Sequence, residues 1–448
     1  MVGGVVDAAL AYAFALPLVL TNVTLSATAG SGCNEPARNM LNRLEHIREF
    51  PSAGADGAVV RSNVDTLYSI AWVDVSAGPV VLRAPSYGSS GRYFLWQLMD
   101  AWTSTFASPS ERVNGTLPQG GAWALCAPGW AGHLPAGIAR IDAPTRHTWL
   151  IGRTAVQGED DLPAARALQD ATQLYALSAG PPGIAPLRCN STGVAPGTPD
   201  PKDAVNAMSA KDFFVTAAAI MAGGDRPNPP DPNATAALAR VGITVGRPLD
   251  WKRDVALASK LALQAAKSAG PGVIAAGYEI VGKHVNGWSI EPDDIGNFGT
   301  DYVTRAGCAE EGLGANKRED AIYYSCDHDG AKAKLSGAHS YTLTFDAKAG
   351  TPPVHAFWSI TLYNENGFLV RNSASKYAVS SWQNLTFGDD GALELSLQPK
   401  APADATMLPN WLPTPADGSA FNVIARMYWP KPEMLDATFV YPALVKRG

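Results

Sequence analysis

Residues 61–74 read Arg-Ser-Asn-Val-Asp-Thr-Leu-Tyr-Ser-Ile-Ala-Trp-Val-Asp, and residues 91–103 read Gly-Arg-Tyr-Phe-Leu-Trp-Gln-Leu-Met-Asp-Ala-Trp-Thr. In the first, Tyr68, Ile70, Trp72 and Asp74 alternate with Leu67, Ser69, Ala71 and Val73, the two-residue period of a strand with distinct faces. In the second, Phe94, Trp96, Leu98 and Trp102 oppose Tyr93, Leu95, Met99 and Ala101. Apolar residues on both faces predict a central strand covered on both sides. Gln97 and Asp100 within it then need internal partners, because a buried polar group is costly unless it is bonded.

Outward from this stretch, the alternation predicts strands over 80–84, 122–127, 147–154, 340–345, 355–363, 392–397 and 421–429. Helical spacing predicts helices over 40–50, 160–177, 204–221 and 234–241, and over 251–284 with a break at Gly270-Pro271-Gly272. Residues 181–201 form a connector rich in Pro, Gly, Ser and Thr. Strands first and last with helices between predict a mainly β chain with helical segments: two β-sandwich (jelly-roll-like) domains joined by an α-helical region. The expected bounds are an N-terminal domain over 1–185, a connector and helical bridge over 186–285, and a C-terminal β domain over 286–448. Residues 92–100 and 354–363 are both aromatic-rich strands with a Trp. That echo fits two related domains, and it also fits the repetitiveness of buried strands in general.

Of the 448 residues, 17% are charged and 46% hydrophobic, with 43 Gly and 34 Pro, a globular and turn-rich composition. A net charge of -6 excludes a general affinity for nucleic acid or anionic membrane, both of which need a basic surface. Ala8 to Leu20 is apolar, but no Lys or Arg precedes Arg38 and Asp7 occupies the flank where a signal peptide is basic. The apolar run is also shorter than the ~20 residues of a membrane span. It is expected to be a buried first helix ending between Pro17 and Thr21, with any export signal already removed. Five cysteines (Cys33, Cys126, Cys189, Cys308, Cys326) include no Cys-x-x-Cys pair. Cys308 and Cys326 are close enough for a local bridge, and unpaired buried thiols are the alternative. Glycosylation sequons at Asn22, Asn114, Asn190, Asn233 and Asn384 point to a secreted, periplasmic or cell-surface glycoprotein.

The sequence contains no Gly-x-Ser-x-Gly elbow, Walker loop, dinucleotide fingerprint or His-Glu-x-x-His. No cofactor and no metal site are expected. Asp327-His328-Asp329 reads as a solvated turn, and His147 and His355 read as strand-end residues. Asp100 reads first as a buried anchor bonded to loop backbone or an Arg, and second as a catalytic acid. Asn63 and Asp65 suit an Asx turn at the strand entry. Tyr68, Trp72 and Asp74 share one face, the composition of a sugar or aromatic platform. Trp411, stiffened by Pro409 and Pro413, reads as a packing latch.

Asn63-Val-Asp-Thr-Leu-Tyr68, Gly91-Arg-Tyr93, Gln97-Leu-Met-Asp100-Ala-Trp102-Thr and Gly152-Arg-Thr154 resemble the domain of unknown function 1254. Asp301-Tyr-Val-Thr-Arg305-Ala, Gly312-Leu-Gly-Ala-Asn316, Phe357-Trp-Ser-Ile-Thr-Leu-Tyr363, Asn410-Trp-Leu-Pro413 and Arg426-Met-Tyr-Trp-Pro430 resemble its companion, 1214. The resemblance implies a two-domain β protein, often exported, without an established activity. It marks Asn63, Asp65, Tyr68, Asp100, Arg305, Asn316, Tyr363, Trp411 and Arg426 as members of a shared pocket or of the interdomain seam.

The leading expectation is a ligand-binding protein that takes a small or carbohydrate-like molecule in an interdomain cleft. Its expected lining is drawn from Asn63, Asp65, Tyr68, Trp72, Asp74, Arg305, Asn316, Tyr363, Trp411 and Arg426. A hydrolase or lyase using Asp65 or Asp100 with Tyr68 is one alternative. A structural surface or assembly component is another, and the oligomeric state is open.

Overall fold

The computed structural model describes residues 2–29, 41–51, 53, 60–88, 91–115, 117–189 and 199–447. The N-terminal β unit has ten strands: β1 (Glu45–Ile47), β2 (Thr66–Asp74), β3 (Val80–Ala84), β4 (Phe94–Asp100), β5 (Thr105–Ala107), β6 (Gly121–Cys126), β7 (Ala139–Asp142), β8 (His147–Ala155), β9 (Gln173–Ala176) and β10 (Leu187–Cys189). They form a six-stranded sheet in the order β10-β1-β2-β8-β4-β5 and a four-stranded sheet in the order β7-β6-β3-β9. Val73, Phe94, Trp96, Leu98 and Leu150 from the first sheet pack on Leu82, Trp123, Leu125 and Leu174 from the second, so the two sheets face each other across one core.

The C-terminal unit repeats this plan with β11 (Lys283–Val285), β12 (Trp288–Ile290), β13 (Ala321–Cys326), β14 (Tyr341–Phe345), β15 (Val354–Asn364), β16 (Ala378–Ser380), β17 (Leu393–Gln398), β18 (Trp411–Pro413), β19 (Phe421–Pro430) and β20 (Val445–Lys446). Its sheets run β11-β12-β13-β19-β15-β16 and β18-β17-β14-β20. Strands β2 to β9 and β13 to β20 therefore pair in the same order. The senses match too: β6 with β7 and β17 with β18 are parallel, and every other pair within these two sets is antiparallel. The echo between 92–100 and 354–363 is thus part of an eight-strand repeat in which β4 and β15 are equivalent. Register agrees as well, since Arg153 lies between Tyr68 and Leu95 as Arg426 lies between Tyr323 and Ser359.

Nine helices occur among the described residues: α1 (Val2–Thr28), α2 (Glu111–Asn114), α3 (Leu162–Ala171), α4 (Pro201–Ala207), α5 (Ala210–Ala222), α6 (Pro232–Arg240), α7 (Leu257–Val281), α8 (Tyr302–Gly312) and α9 (Pro432–Leu435). Apolar nearly all round, α1 is the core of a helical layer, where Tyr12, Phe14, Leu18 and Val19 pack on Phe213, Phe214, Leu238, Leu263 and Ile274. It runs 27 residues, straight through Pro17. It does not end between Pro17 and Thr21, and it is long and apolar enough to cross a membrane by length and composition.

Other expectations also need correcting. Within the predicted helix over 40–50, residues 45–47 form β1, because their backbone pairs with β2 on one side and β10 on the other; Met40 lies outside the described residues. The helix expected to reach Leu177 stops at Ala171, and the chain extends into β9, whose Leu174 enters the sandwich core. The segment 204–221 is two helices, divided where Ser209 caps α5 by accepting from the Asp212 amide. α7 is unbroken at 270–272; the Tyr12 ring lies where a Cβ on Gly270 would be. The bounds at 185 and 285 shift in space, since α1 and α8 join the helical layer, β10 closes the first sheet and β11 begins the second. Cys126, Cys308 and Cys326 are free and buried, so of the two readings of Cys308 and Cys326 the unpaired thiols hold and the local bridge does not; Cys189 is disulfide-bonded. Cys33 lies outside the described residues.

Candidate functional site

Each six-stranded sheet turns one face to its own sandwich core and the other toward the companion domain. Alternation decides which residues meet there: Tyr93 just before β4, Leu95 and Gln97 from β4, Tyr68 from β2 and Arg153 from β8, against Phe357, Ser359, Thr361 and Tyr363 from β15, Tyr323 from β13, and Arg426 and Tyr428 from β19. At the seam the repeat places two guanidiniums in matching settings. Arg153 Nη1 donates to Gln97 Oε1 (2.7 Å), and its guanidinium carbon lies 5.2 Å from the Tyr68 ring centre. Arg426 Nη1 donates to Thr361 Oγ1 (3.1 Å), with its guanidinium 5.8 Å from the Tyr323 ring centre. Cation–π contact and hydrogen bonding together make burial of these charges tolerable.

The segment before β2 is stitched to the second domain. Asn63 Oδ1 accepts from the amides of Asp65 (2.5 Å) and Thr66 (3.1 Å), the expected Asx turn, while Asn63 Nδ2 donates to Tyr428 OH at 2.7 Å. Asp65 Oδ2 accepts from Ser359 Oγ (2.6 Å) and Tyr428 OH (3.1 Å). Burial pushes this carboxyl up from its ordinary range, against the pull of Arg426 and the two hydroxyls. Arg426 Nη2 donates to Arg61 O and Tyr363 OH, both at 2.9 Å, and Tyr363 OH donates to Ser62 O at 2.6 Å. On the other flank, Asn316 Nδ2 donates to Tyr323 OH (2.6 Å) and Gln97 Nε2 to Ala315 O (2.6 Å). Half-buried Glu291, at the end of β12, has its carboxyl pushed up to about 8 by burial; the Tyr323 amide, Arg318 and Arg426 oppose that shift.

Six expected site residues therefore come together in the seam: Asn63, Asp65, Tyr68, Asn316, Tyr363 and Arg426. The others lie elsewhere. Asp100 Oδ1 accepts from the amides of Trp102 and Ser104, both at 2.9 Å, and its Oδ2 from Asn228 Nδ2 at 2.7 Å, which makes it the anchor of the β4–β5 turn against the helical layer. Burial pushes its carboxyl up to about 6. Arg305 lies near Tyr302, Trp102 and Phe14 and donates to Asn228 O. Trp72 stacks on Trp149 and donates to Thr28 Oγ1 of α1. Asp74 pairs with Arg146 at 2.6 Å; burial raises its carboxyl, but Arg146 and Ser76 outweigh that and hold it well below the usual range. Beside it, His147 Nδ1 lies 2.6 Å from Asp225 Oδ2. Trp411 donates to Gln398 O at 2.8 Å, a packing latch within the second domain. Asp329 Oδ1 accepts from the amides of Ala331 and Ala333, as a turn residue does. No group of three or more metal-ligating side chains is arranged to hold an ion among the described residues.

At one rim the seam opens into a notch of about 130 Å³, lined by Gly91, Tyr93, Ala155 and Gln157 from the first domain and Ala356, Phe357, Ser381 and Trp382 from the second. Trp382 and Phe357 have ring centres 4.0 Å apart, and Phe357 stacks on Tyr428 at 4.1 Å. The aromatic floor of the notch thus rests on the tyrosine that bonds Asp65 and Asn63. Sequence reasoning missed Trp382, Gln157 and Ser381, which lie outside any strongly periodic segment, and it gave Arg153 and Tyr428 no role. For Tyr428 a positional signal was present: it stands with Asn422 and Arg426 on the polar-interrupted face of a strand whose other face carries Phe421, Val423, Ala425 and Met427.

Two family models match this chain. Residues 41–176 match the protein of unknown function DUF1254, and residues 320–432 match the protein of unknown function DUF1214. The crystal structure of the VPA0106 protein from Vibrio parahaemolyticus is similar over 99% of this chain and 100% of that one, with a TM-score of 0.73 at 21% identity. A putative uncharacterized protein from Burkholderia cenocepacia aligns over 97% of this chain and 87% of its own, at 13% identity and a TM-score of 0.45. A search of curated proteins finds no match. With both matches in order and one in each β unit, the chain belongs to the two-domain proteins that join DUF1254 to DUF1214.

Proposed function

We propose that this is an exported protein that binds a small, ring-containing polar ligand, carbohydrate-like in character, in the notch between its two domains. The observation that carries this reading is an interdomain cavity floored by Tyr93, Phe357 and Trp382 and edged by Gln157 and Ser381. Aromatic faces pack against the C–H face of a sugar or against a planar ring, and side-chain amide and hydroxyl groups at the edge orient its polar substituents. At about 130 Å³ the space is below the roughly 300–1,000 Å³ of common ligand pockets, which favours a single ring or the end of a longer molecule. We read each domain as jelly-roll-like in the broad sense of two facing, mostly antiparallel sheets between which the chain crosses repeatedly.

Two features support export. Cys189 is disulfide-bonded, which suits an oxidising compartment. The sequon residues Asn114, Asn233 and Asn384 are exposed and open to glycosylation, whereas Asn22 lies within α1 and the Thr24 of its sequon is buried. The hydrolase or lyase reading gains less: Asp65 and Asp100 are both engaged by internal donors, and neither lines the notch.

The test is ligand-observed NMR with a panel of monosaccharides and small aromatic acids, comparing the wild type with Trp382→Ala. Half-buried at the rim, Trp382 can be truncated with little effect on the fold. Saturation transfer to at least one ring compound, lost in the variant, is expected. Equal transfer to both proteins, or none to either, would overturn the assignment.

A further inference from the structure

We infer, resting on the reading of the notch as a sugar site, that its ligand is an oligosaccharide: one ring sits in the notch, and the next lies on Trp429 in a second subsite beside it.

The placement of Trp429 carries the inference. Along β19, Phe421, Val423, Ala425 and Met427 alternate into the core of the second domain, and Trp429 is next on that face. It does not join them. Its φ is +48°, a conformation that bulky side chains rarely adopt, and beside it the pairing of β15 with β19 shifts register between Val354 and Phe357. A register shift of this kind re-aims a side chain. Here the indole leaves the core face and packs, half-buried, on the seam cluster that contains Tyr93, Phe357 and Tyr428. Its amide donates to Asp320 O at 2.9 Å, which holds the backbone in this form. Strained positions persist where their surroundings enforce them, and they gather at ligand sites.

The second subsite adjoins the first. Tyr93 lines the notch, and it also lines a shallow crevice with Trp429, Glu111, Arg112 and Asp320. Ala356 lines the notch as well, and its exposed neighbour His355 packs on Trp429 with ring centres 4.7 Å apart. Aromatic surface therefore runs from Trp382 through Phe357 and Tyr93 to Trp429, all on one cluster. A row of ring faces matches a chain of sugar rings, each of which offers a C–H face.

Polar groups stand beside the second face as they do beside the first. Arg112 Nε and Nη2 both donate to Asp320 Oδ1, at 2.9 and 2.6 Å, and the Asp320 side chain is 1% exposed. That buried carboxylate fixes the guanidinium, whose Nη1 has no partner among the described residues and can donate to a hydroxyl. Glu111 supplies an acceptor alongside. With Asp320 and Glu111 offsetting Arg112, the crevice carries no excess of positive charge, which suits a neutral sugar better than an acidic one.

The experiment is titration of the full chain, by ligand-observed NMR, with mono-, di- and tetrasaccharides of the glucose, mannose and N-acetylglucosamine series. In at least one series the longer sugars should bind up to about tenfold more tightly than the monosaccharide, the gain from one further aromatic contact. Trp429→Gly removes the indole and suits the positive φ. This variant should bind longer sugars no more tightly than the wild type binds the monosaccharide. His355→Ala, at an exposed position, should lose part of the gain, and it keeps the test decisive if circular dichroism shows the glycine variant to be poorly folded. Equal affinity across chain lengths, or a chain-length gain unchanged in either folded variant, would overturn the second subsite and leave the notch standing. Binding of no sugar at all would overturn both readings.

Discussion

Replacing Arg426 by Met tests whether the seam is held by its buried polar layer. Arg426 is 4% exposed and donates to Thr361 Oγ1, Arg61 O and Tyr363 OH. Met keeps much of the volume but removes every one of these bonds, and it leaves the Asp65 carboxyl, itself 1% exposed, without its nearby positive charge. Breaking one side of a buried charged arrangement costs roughly 3–5 kcal/mol. For a cooperative unit of 150–250 residues, that lowers the melting temperature by roughly 6–20 °C. The loss should depend on pH. Asp65 has a folded-state pKa raised above its unfolded value, so its favourable contribution is present below the unfolded value and is lost as pH rises through the folded one. Without Arg426 that pKa rises further, and the penalty at about pH 5 should be smaller than at about pH 8. Adding Asp65→Asn to the variant should recover part of the loss at the higher pH. Differential scanning calorimetry at both pH values is the assay. A shift of less than about 2 °C at the higher pH, or a penalty that grows on acidification, refutes the reasoning.

Three further outcomes follow from particular side chains. Gly152 pairs with Trp96 across β8 and β4, and the indole occupies the space that a Cβ would need; Gly152→Ala should cost roughly 1–3 kcal/mol by urea denaturation, and a neutral result would show that Trp96 relocates freely. Glu291 has its pKa raised to about 8, so its contribution is lost as pH climbs through that value; Glu291→Gln should gain stability relative to the wild type between about pH 6 and 9, and parallel melting curves across that range would count against it. Alkylation of the native protein followed by peptide mapping without reductant should find Cys126, Cys308 and Cys326 unmodified until unfolding and then fully reactive; a Cys308–Cys326 linked peptide would contradict the fold.

Much of the strand framework was legible because burial on one or both faces imposes a two-residue period that survives any arrangement of neighbours. The prediction of 80–84 coincides with β3, and those of 147–154 and 421–429 fall within one residue of β8 and β19. Short elements were not legible in this way. β1 is three residues long with one apolar residue, Ile47, and the spacing of Leu41, Leu44, Ile47 and Phe50 around it is helical; only the backbone partners offered by β2 and β10 make it a strand. Likewise Pro17 and Pro271 are helix breakers by local propensity, and tertiary packing around α1 and α7 overrides it.

For the site, the sequence by itself determined which polar residues interrupt apolar strand faces: Tyr68 and Gln97 in the first domain, Tyr363 and Arg426 in the second. Alternation also fixed the face on which each one stands. What it left open is which faces meet, because contacts between residues some 300 positions apart leave no trace in a local period. Asp65 with Ser359 and Asn63 with Tyr428 exist only because two repeats of the same eight strands turn their outer sheets toward one another. The same docking leaves the gap at Tyr93, Phe357 and Trp382, and it separates Trp72, Asp74, Arg305 and Trp411 into other parts of the molecule. The side chains were thus set by strand chemistry, and their company was set by the packing of whole domains.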